Sequence, residues 1–158
     1  MITITEHNTL DMENVISFQN TLSQQGIFQA IKEIDMIVSE SKTERNGTVV
    51  TTTYSRKMEN GEMVMDVEIL YPILQEIDLP MGYNFKPVFH LCNAIKMRYQ
   101  GNTMKAQEAM KEFTLYITEH NLKPITSVYT VIAHEPKSKE DLDNYAMEVY
   151  VGISENIL

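Results

Sequence analysis

Several residue types that direct a chain toward particular protein classes are scarce here. Among 158 residues there is one cysteine and no tryptophan. A lone cysteine, Cys92, excludes an internal disulfide framework and a cysteine-rich zinc site. It also favours a reducing, cytoplasmic location, and we expect this thiol to be buried and inert. No apolar run approaches the roughly 18 residues that indicate a membrane-spanning helix, and no basic segment at the start predicts a secretory signal.

Positive charge is also in short supply. The 13 lysines and arginines face 22 acidic residues, for a net charge of −9, and they form no dense cluster. We therefore expect no direct binding of nucleic acid. The 6 glycines are scattered, which argues against a phosphate-binding loop. The histidines lie on separate predicted elements without metal-ligand spacing, so we expect neither a metal nor a cofactor: His7, His90, His120 and His134.

The chain does have the composition of a folded protein, and its length suits one domain over residues 1–158. It is rich in methionine and tyrosine, with 11 and 8 residues. We expect most methionines to fill the core; the alternative is a pocket surface that adapts to varied apolar shapes.

The first half of the chain predicts a helix followed by a hairpin. Between residues 22 and 42 the apolar residues fall at helical spacing: Ile27, Ile31, Ile34 and Val38. Two β-prone segments follow, over residues 48–57 and 62–71. They flank Asn60 and Gly61, a pair that predicts a type I′ turn.

The second half repeats this order. Residues 103–121 predict a helix that Asn121 and Pro124 end, with an apolar stripe on one side: Ala106, Met110, Phe113 and Ile117. Strands are predicted over residues 125–134 and 145–153. A β-prone segment precedes each helix, at residues 14–20 and 86–99.

We therefore predict an α+β fold built from two tandem strand-helix-strand-strand units. The first repeat covers about residues 1–73 and the second about residues 83–158, joined by a linker that contains Pro80-Met81-Gly82. Such units form antiparallel sheet with the helices on one face. Two related halves of this kind also predict a cleft where they meet.

Four short segments carry a resemblance to a known family. Residues 94–101 run as a strand into a glycine just before the second helix, and residues 126–129 carry an aromatic residue after it. Residues 68–73 and 148–153 belong to the two predicted closing strands, and Glu68 lies four positions before Pro72 as Glu148 does before Gly152. With the duplicated order, they resemble the GyrI-like effector-binding domains, the ligand-sensing modules of bacterial multidrug-responsive regulators of the BmrR and Rob type.

The resemblance implies a cleft lined by aromatic rings, in which a carboxylate receives the charge of an amphipathic cation. Glu148 is the first candidate, because alternation places it on the face of its strand that also carries Tyr150. Tyr129 could join them from the neighbouring strand. The full set of candidate ligand-binding residues is Glu148, Tyr129, Tyr150, Glu68, Phe89 and Tyr99. No catalytic residue is predicted, and the other interpretation of each glutamate is a solvated residue on a polar face.

This sequence departs from the family pattern at two positions. Gly152 stands where the family commonly has proline, and Ser127 stands where an acidic residue often precedes the aromatic one. Because the fold takes up the whole length, no helix-turn-helix remains, and we expect a stand-alone module.

The sequence leaves two alternative functions and the oligomeric state open. One is a protein-interaction module of the gyrase-inhibitor type, and another is a hydrolase that uses a cleft glutamate as its base. Edge strands would also let two copies pair as a homodimer.

Overall fold

The computed structural model describes residues 1–134 and 137–154. Within them the chain forms antiparallel strands, two α-helices, and two 3-10 helices at Thr103–Lys105 and Lys139–Asn144. In chain order the strands and α-helices are β1 (Ile2–Leu22), α1 (Gln24–Glu40), β2 (Val50–Glu59), β3 (Glu62–Pro72), β4 (Asn84–Gly101), α2 (Ala106–Glu119), β5 (Pro124–His134) and β6 (Tyr145–Ile153). The α+β class and the order strand-helix-strand-strand, twice, are confirmed.

The chain folds into two compact units. The first unit is Asp11–His90; the second unit consists of Met1–Leu10 together with the chain from Leu91 onward. The chain passes from one unit to the other within β1 and again within β4. The predicted single domain and the predicted repeats at residues 1–73 and 83–158 stay predictions; residues 155–158 lie outside the described residues.

In the first unit, α1 packs on one face of a three-stranded sheet. The Ser23 hydroxyl begins the helix by accepting a hydrogen bond from the Gly26 backbone N–H at 3.1 Å. The buried stripe of the helix is Ile27, Ala30, Ile34 and Val38. These side chains share a core with Ile16 of β1 and Ile69 of β3. Burial of this stripe is the main source of helix stability.

The sheet of the first unit has β3 in its centre, paired antiparallel with β1 and with β2. The β2–β3 hairpin turns at Asn60 and Gly61, whose φ angles are +52° and +79°. Two positive φ angles in a two-residue loop are those of the predicted type I′ turn, which is confirmed.

The second unit has the same plan, with β6 in the centre of its sheet between β4 and β5. Phe113 of α2 is buried against Met97 of β4 and Val149 of β6. Asn121, at φ +54°, follows the end of the helix as predicted. Strand β1 contributes Ile2 and Ile4 to the edge of this core.

Two expectations about side-chain burial are wrong. Six methionines are exposed rather than core-filling: Met1, Met36, Met58, Met63, Met81 and Met104. Met97 and Met147 are buried. Cys92 is exposed, not buried, because it lies on β4 between positions that turn their side chains inward, Leu91 among them.

Among the described residues, no helix is both long and apolar enough to cross a membrane.

Candidate functional site

The central strand of each sheet places an acidic side chain on the face away from the helix. In β6, Met147 and Val149 turn toward α2, so Glu148 and Tyr150 point to the other side. In β3, Val67 and Ile69 turn toward α1, and Glu68 points away from it. The two glutamates therefore occupy comparable positions, each within its own unit.

Glu148 is held by two basic side chains of β4. Lys96 Nζ donates to Glu148 Oε2 at 2.5 Å, and Arg98 Nη1 lies 3.6 Å from the same oxygen. Arg98 is directly opposite Glu148 in the strand register, and Lys96 reaches the carboxylate diagonally. The Glu148 side chain is 20% exposed, so its carboxylate is partly removed from water.

Two tyrosines lie on the same face. Tyr150 is nearly buried, and its strand-register partners are Lys96 on β4 and Tyr129 on β5. Lys96 Nζ lies 5.4 Å from the centroid of the Tyr150 ring, which is within cation–π range. The ammonium of Lys96 is thus held between a carboxylate and an aromatic ring.

Lys96 keeps its charge in this position. Burial by itself lowers the pKa of the Lys96 ammonium, but hydrogen bonds to Glu148 and Tyr150 and their electrostatic attraction raise the pKa above its ordinary value. The group is therefore a permanent cation near neutral pH.

Glu68 in the first unit is more enclosed. It is 6% exposed, and its carboxylate accepts hydrogen bonds from Ser17 Oγ at 2.5 Å, Tyr54 OH at 2.6 Å and Lys86 Nζ at 2.8 Å. Both oxygens have partners from other strands. The carboxylate and its three hydrogen-bond donors form a group that we call the Glu68 cluster (Ser17, Tyr54, Glu68 and Lys86).

The Glu68 cluster lowers the pKa of the Glu68 carboxyl group. Burial by itself raises the pKa of Glu68. Hydrogen bonds from Lys86, Ser17 and Tyr54, with the charge of Lys86, outweigh burial and hold the pKa of this carboxyl below its ordinary 4.5. A lowered pKa makes a carboxylate a weak base, so the cluster is poorly suited to general-base hydrolysis.

This shift predicts a loss of stability in acid. Because the folded-state pKa of Glu68 is below its unfolded value, the stabilisation is present above pH 4.5 and is lost as pH falls toward the folded pKa. Urea unfolding of the wild type and Glu68→Gln should show a gap in free energy at about pH 7 that shrinks below pH 4.5. A gap that stays constant across this range would contradict the assignment.

The structure places the remaining sequence-predicted site residues elsewhere. Tyr99 is buried in the core beneath α2, where its hydroxyl donates to the Asn102 carbonyl at 2.6 Å. It is therefore on the opposite face of β4 from Lys96 and Arg98. Phe89 is half-buried on the part of β4 that belongs to the first unit. The structure thus brings Glu148, Tyr150 and Tyr129 to one face of one sheet, and the predicted cleft between the halves stays a prediction.

The basic residues of the site were missed by the sequence reasoning. Lys96 and Arg98 alternate with Ile95, Met97 and Tyr99, so the pattern alone indicates a strand with a basic face. The pattern does not show which strand lies beside β4. The pairing of β4 with β6 brings the basic face to Glu148. Among the described residues, no group of three or more histidine, cysteine or acidic side chains is arranged to hold a metal ion.

Comparisons with known proteins identify the fold. No protein-family model and no curated protein matches this chain. The crystal structure of the EcmrR C-terminal domain matches with a TM-score of 0.73 at 12% identity, over 99% of this chain and 98% of that domain. EcmrR in a transcription complex with DNA matches with a TM-score of 0.75 at 13% identity. This chain spans 58% of that longer EcmrR chain.

A hydrolase from Listeria innocua has the same fold at lower similarity. Its TM-score is 0.56 at 10% identity, over 97% of this chain and 91% of that one. At these identities the likeness defines a class of fold, that of the EcmrR C-terminal domain.

Proposed function

We propose that this chain is a member of the effector-binding-domain superfamily and binds a small amphipathic cation at Glu148. The observation that carries the proposal is the position of the Lys96 ammonium, which lies 2.5 Å from Glu148 Oε2 and 5.4 Å from the centre of the Tyr150 ring. An arrangement that holds an internal cation in this way offers the same two interactions to an external one.

The physical basis is a partly desolvated carboxylate beside aromatic surface. The Glu148 side chain is 20% exposed, and its two ion-pair partners, Lys96 and Arg98, lie on the neighbouring strand, so a ligand cation can reach the carboxylate from solvent. The rings of Tyr150 and Tyr129 supply apolar area and cation–π attraction of roughly 0.5–2 kcal/mol for each favourable contact. A few convergent polar groups with apolar walls are the usual components of a ligand site.

Glu148 suits this role better than Glu68. The carboxylate of Glu68 already accepts hydrogen bonds from three side chains and is 6% exposed. A ligand cation would have to break those hydrogen bonds, whereas the side chain of Glu148 is 20% exposed against 8% for that of Glu68. The predicted preference for Glu148 over Glu68 therefore rests on the exposure of its carboxylate.

The proposal is tested with tetraphenylphosphonium, a lipophilic cation with aromatic surface. Isothermal titration calorimetry should give a dissociation constant for the wild type that rises about tenfold or more in Glu148→Gln, because the ionic contact is lost while the shape is kept. Glu62→Gln is the matched control: it removes one charge from an exposed position on β3, and it should leave the affinity unchanged.

Two aromatic variants separate the ring from the hydroxyl. Tyr150→Phe keeps the ring and should bind the probe nearly as well as the wild type, while Tyr150→Leu should bind it more weakly. Circular dichroism confirms that each variant is folded. Equal affinity of tetraphenylphosphonium for the wild type and Glu148→Gln refutes the proposal.

A further inference from the structure

The Glu148 face carries more positive than negative charge. Lys96 and Arg98 both lie within 4 Å of one carboxylate oxygen, at 2.5 and 3.6 Å, so two cations share one anion. The Glu68 cluster is balanced by comparison, with Lys86 as its one cation in ion-pair contact. A monocation at Glu148 would therefore raise the local charge from +1 to +2.

Arg98 also lines a cavity. Its side chain is 47% exposed and lines a cavity of about 320 Å³ in the second unit, together with Gln100 and His134. The acidic residue in that cavity, Asp141, already accepts from Asn144 at 2.7 Å and is paired with His134 at 3.1 Å. Among the described residues that line this cavity, Arg98 and Gln100 carry a guanidinium and an amide that can donate hydrogen bonds to an anionic group.

We infer that the ligand of this site is zwitterionic, with an ammonium that binds Glu148 and the Tyr150 ring and an anionic oxygen group that binds Arg98. This inference rests on the proposed function and narrows its ligand class. A zwitterion leaves the local charge at +1, whereas a monocation adds to the repulsion from Lys96 and Arg98. Lys96 cannot relieve this repulsion by releasing its proton, because its pKa is raised.

Three probes with one alkyl chain test the inference below their micellar concentrations. Octylphosphocholine carries a quaternary ammonium and a phosphate, octyltrimethylammonium carries the ammonium alone, and octyl sulfate carries an anionic group alone. On the wild-type protein, calorimetry should show octylphosphocholine binding about tenfold more tightly than either of the others. In Arg98→Gln, the ratio of the dissociation constant of octyltrimethylammonium to that of octylphosphocholine should fall toward one.

Lys111→Gln is the control for lost positive charge. Lys111 is exposed on α2, on the other side of the sheet from Glu148, and its replacement should leave the preference intact. If Lys111→Gln reduces the preference for octylphosphocholine as much as Arg98→Gln does, the preference comes from the total charge of the protein rather than from a contact with Arg98. That result overturns the inference.

The remaining outcomes separate the inference from the proposed function. Octyltrimethylammonium or octyl sulfate binding as tightly as octylphosphocholine overturns the inference. If octylphosphocholine fails to bind while tetraphenylphosphonium binds through Glu148, the inference falls and the proposed function stands. If neither binds, both are refuted.

Discussion

Glu68→Ala is expected to lower the free energy of unfolding by about 2–4 kcal/mol, because it removes the acceptor of a buried cluster. Ser17 is 3% exposed and donates to Glu68 at 2.5 Å, so its hydroxyl would be left buried without that acceptor. Lys86 would lose its ion pair, but its side chain is 40% exposed and water can solvate it. The unsatisfied serine hydroxyl therefore contributes much of the expected cost.

Urea unfolding of further variants shows which interaction accounts for the loss of unfolding free energy in Glu68→Ala. Glu68→Gln keeps an acceptor for Ser17 and should cost less than Glu68→Ala. Ser17→Ala combined with Glu68→Ala should cost less than the sum of the single changes, because the two residues share one hydrogen bond. Glu62→Ala, exposed on β3, serves as the control. Additive costs for Ser17 and Glu68 would contradict this account.

Gly152→Pro is expected to destabilise the protein by about 3 kcal/mol or more, although proline is common at this position in the family that the sequence resembles. Gly152 lies on β6, the central strand of its sheet, and its backbone N–H donates to Thr126 Oγ1 at 2.9 Å. Proline removes this donor and is poorly tolerated in a central strand. Thermal unfolding of the variant measures the loss.

A smaller change at Gly152 isolates the packing contribution. A Cβ at this position would lie 2.8 Å from Thr126 Cγ2 and 3.0 Å from Leu91 Cδ1. Gly152→Ala should therefore cost about 1–3 kcal/mol. Thr126→Ser removes the nearer methyl group and keeps the hydroxyl, so Gly152→Ala should cost less in that background. An equal cost in both backgrounds would show that Thr126 does not limit the space.

Local patterns predict the elements of this fold well wherever one face is apolar. Strand β6 spans the predicted residues 145–153, and α1 and α2 lie within the predicted helical segments 22–42 and 103–121. The turn at Asn60 and Gly61 is also local, since it depends on two residues that tolerate positive φ. In each case the determining interactions span only a few residues.

The length of β1 was underestimated for a physical reason. The sequence pattern indicates a strand over residues 14–20, whereas β1 spans Ile2–Leu22. Its early part is mostly exposed, and Glu6 and Asn8 interrupt the alternation of its apolar residues, which are Ile2, Ile4, Leu10 and Met12. Ile2 and Ile4 are half-buried only because the core beneath α2 lies against them. Such contacts are invisible to a local pattern.

The type and order of the elements, and the faces on which residues lie, follow from the local sequence pattern, because helical and strand periodicity are local properties. Alternation was sufficient to place Glu148 and Tyr150 on one side of their strand. The contact of Lys96 and Arg98 with Glu148 depends on the tertiary fold, since strand register brings together residues about fifty positions apart. In the first unit, the register of β1 and β3 likewise places Ser17 diagonally across from Glu68. One carboxylate, Glu148, is thereby left partly exposed beside two basic side chains, and the other, Glu68, is enclosed by its own partners.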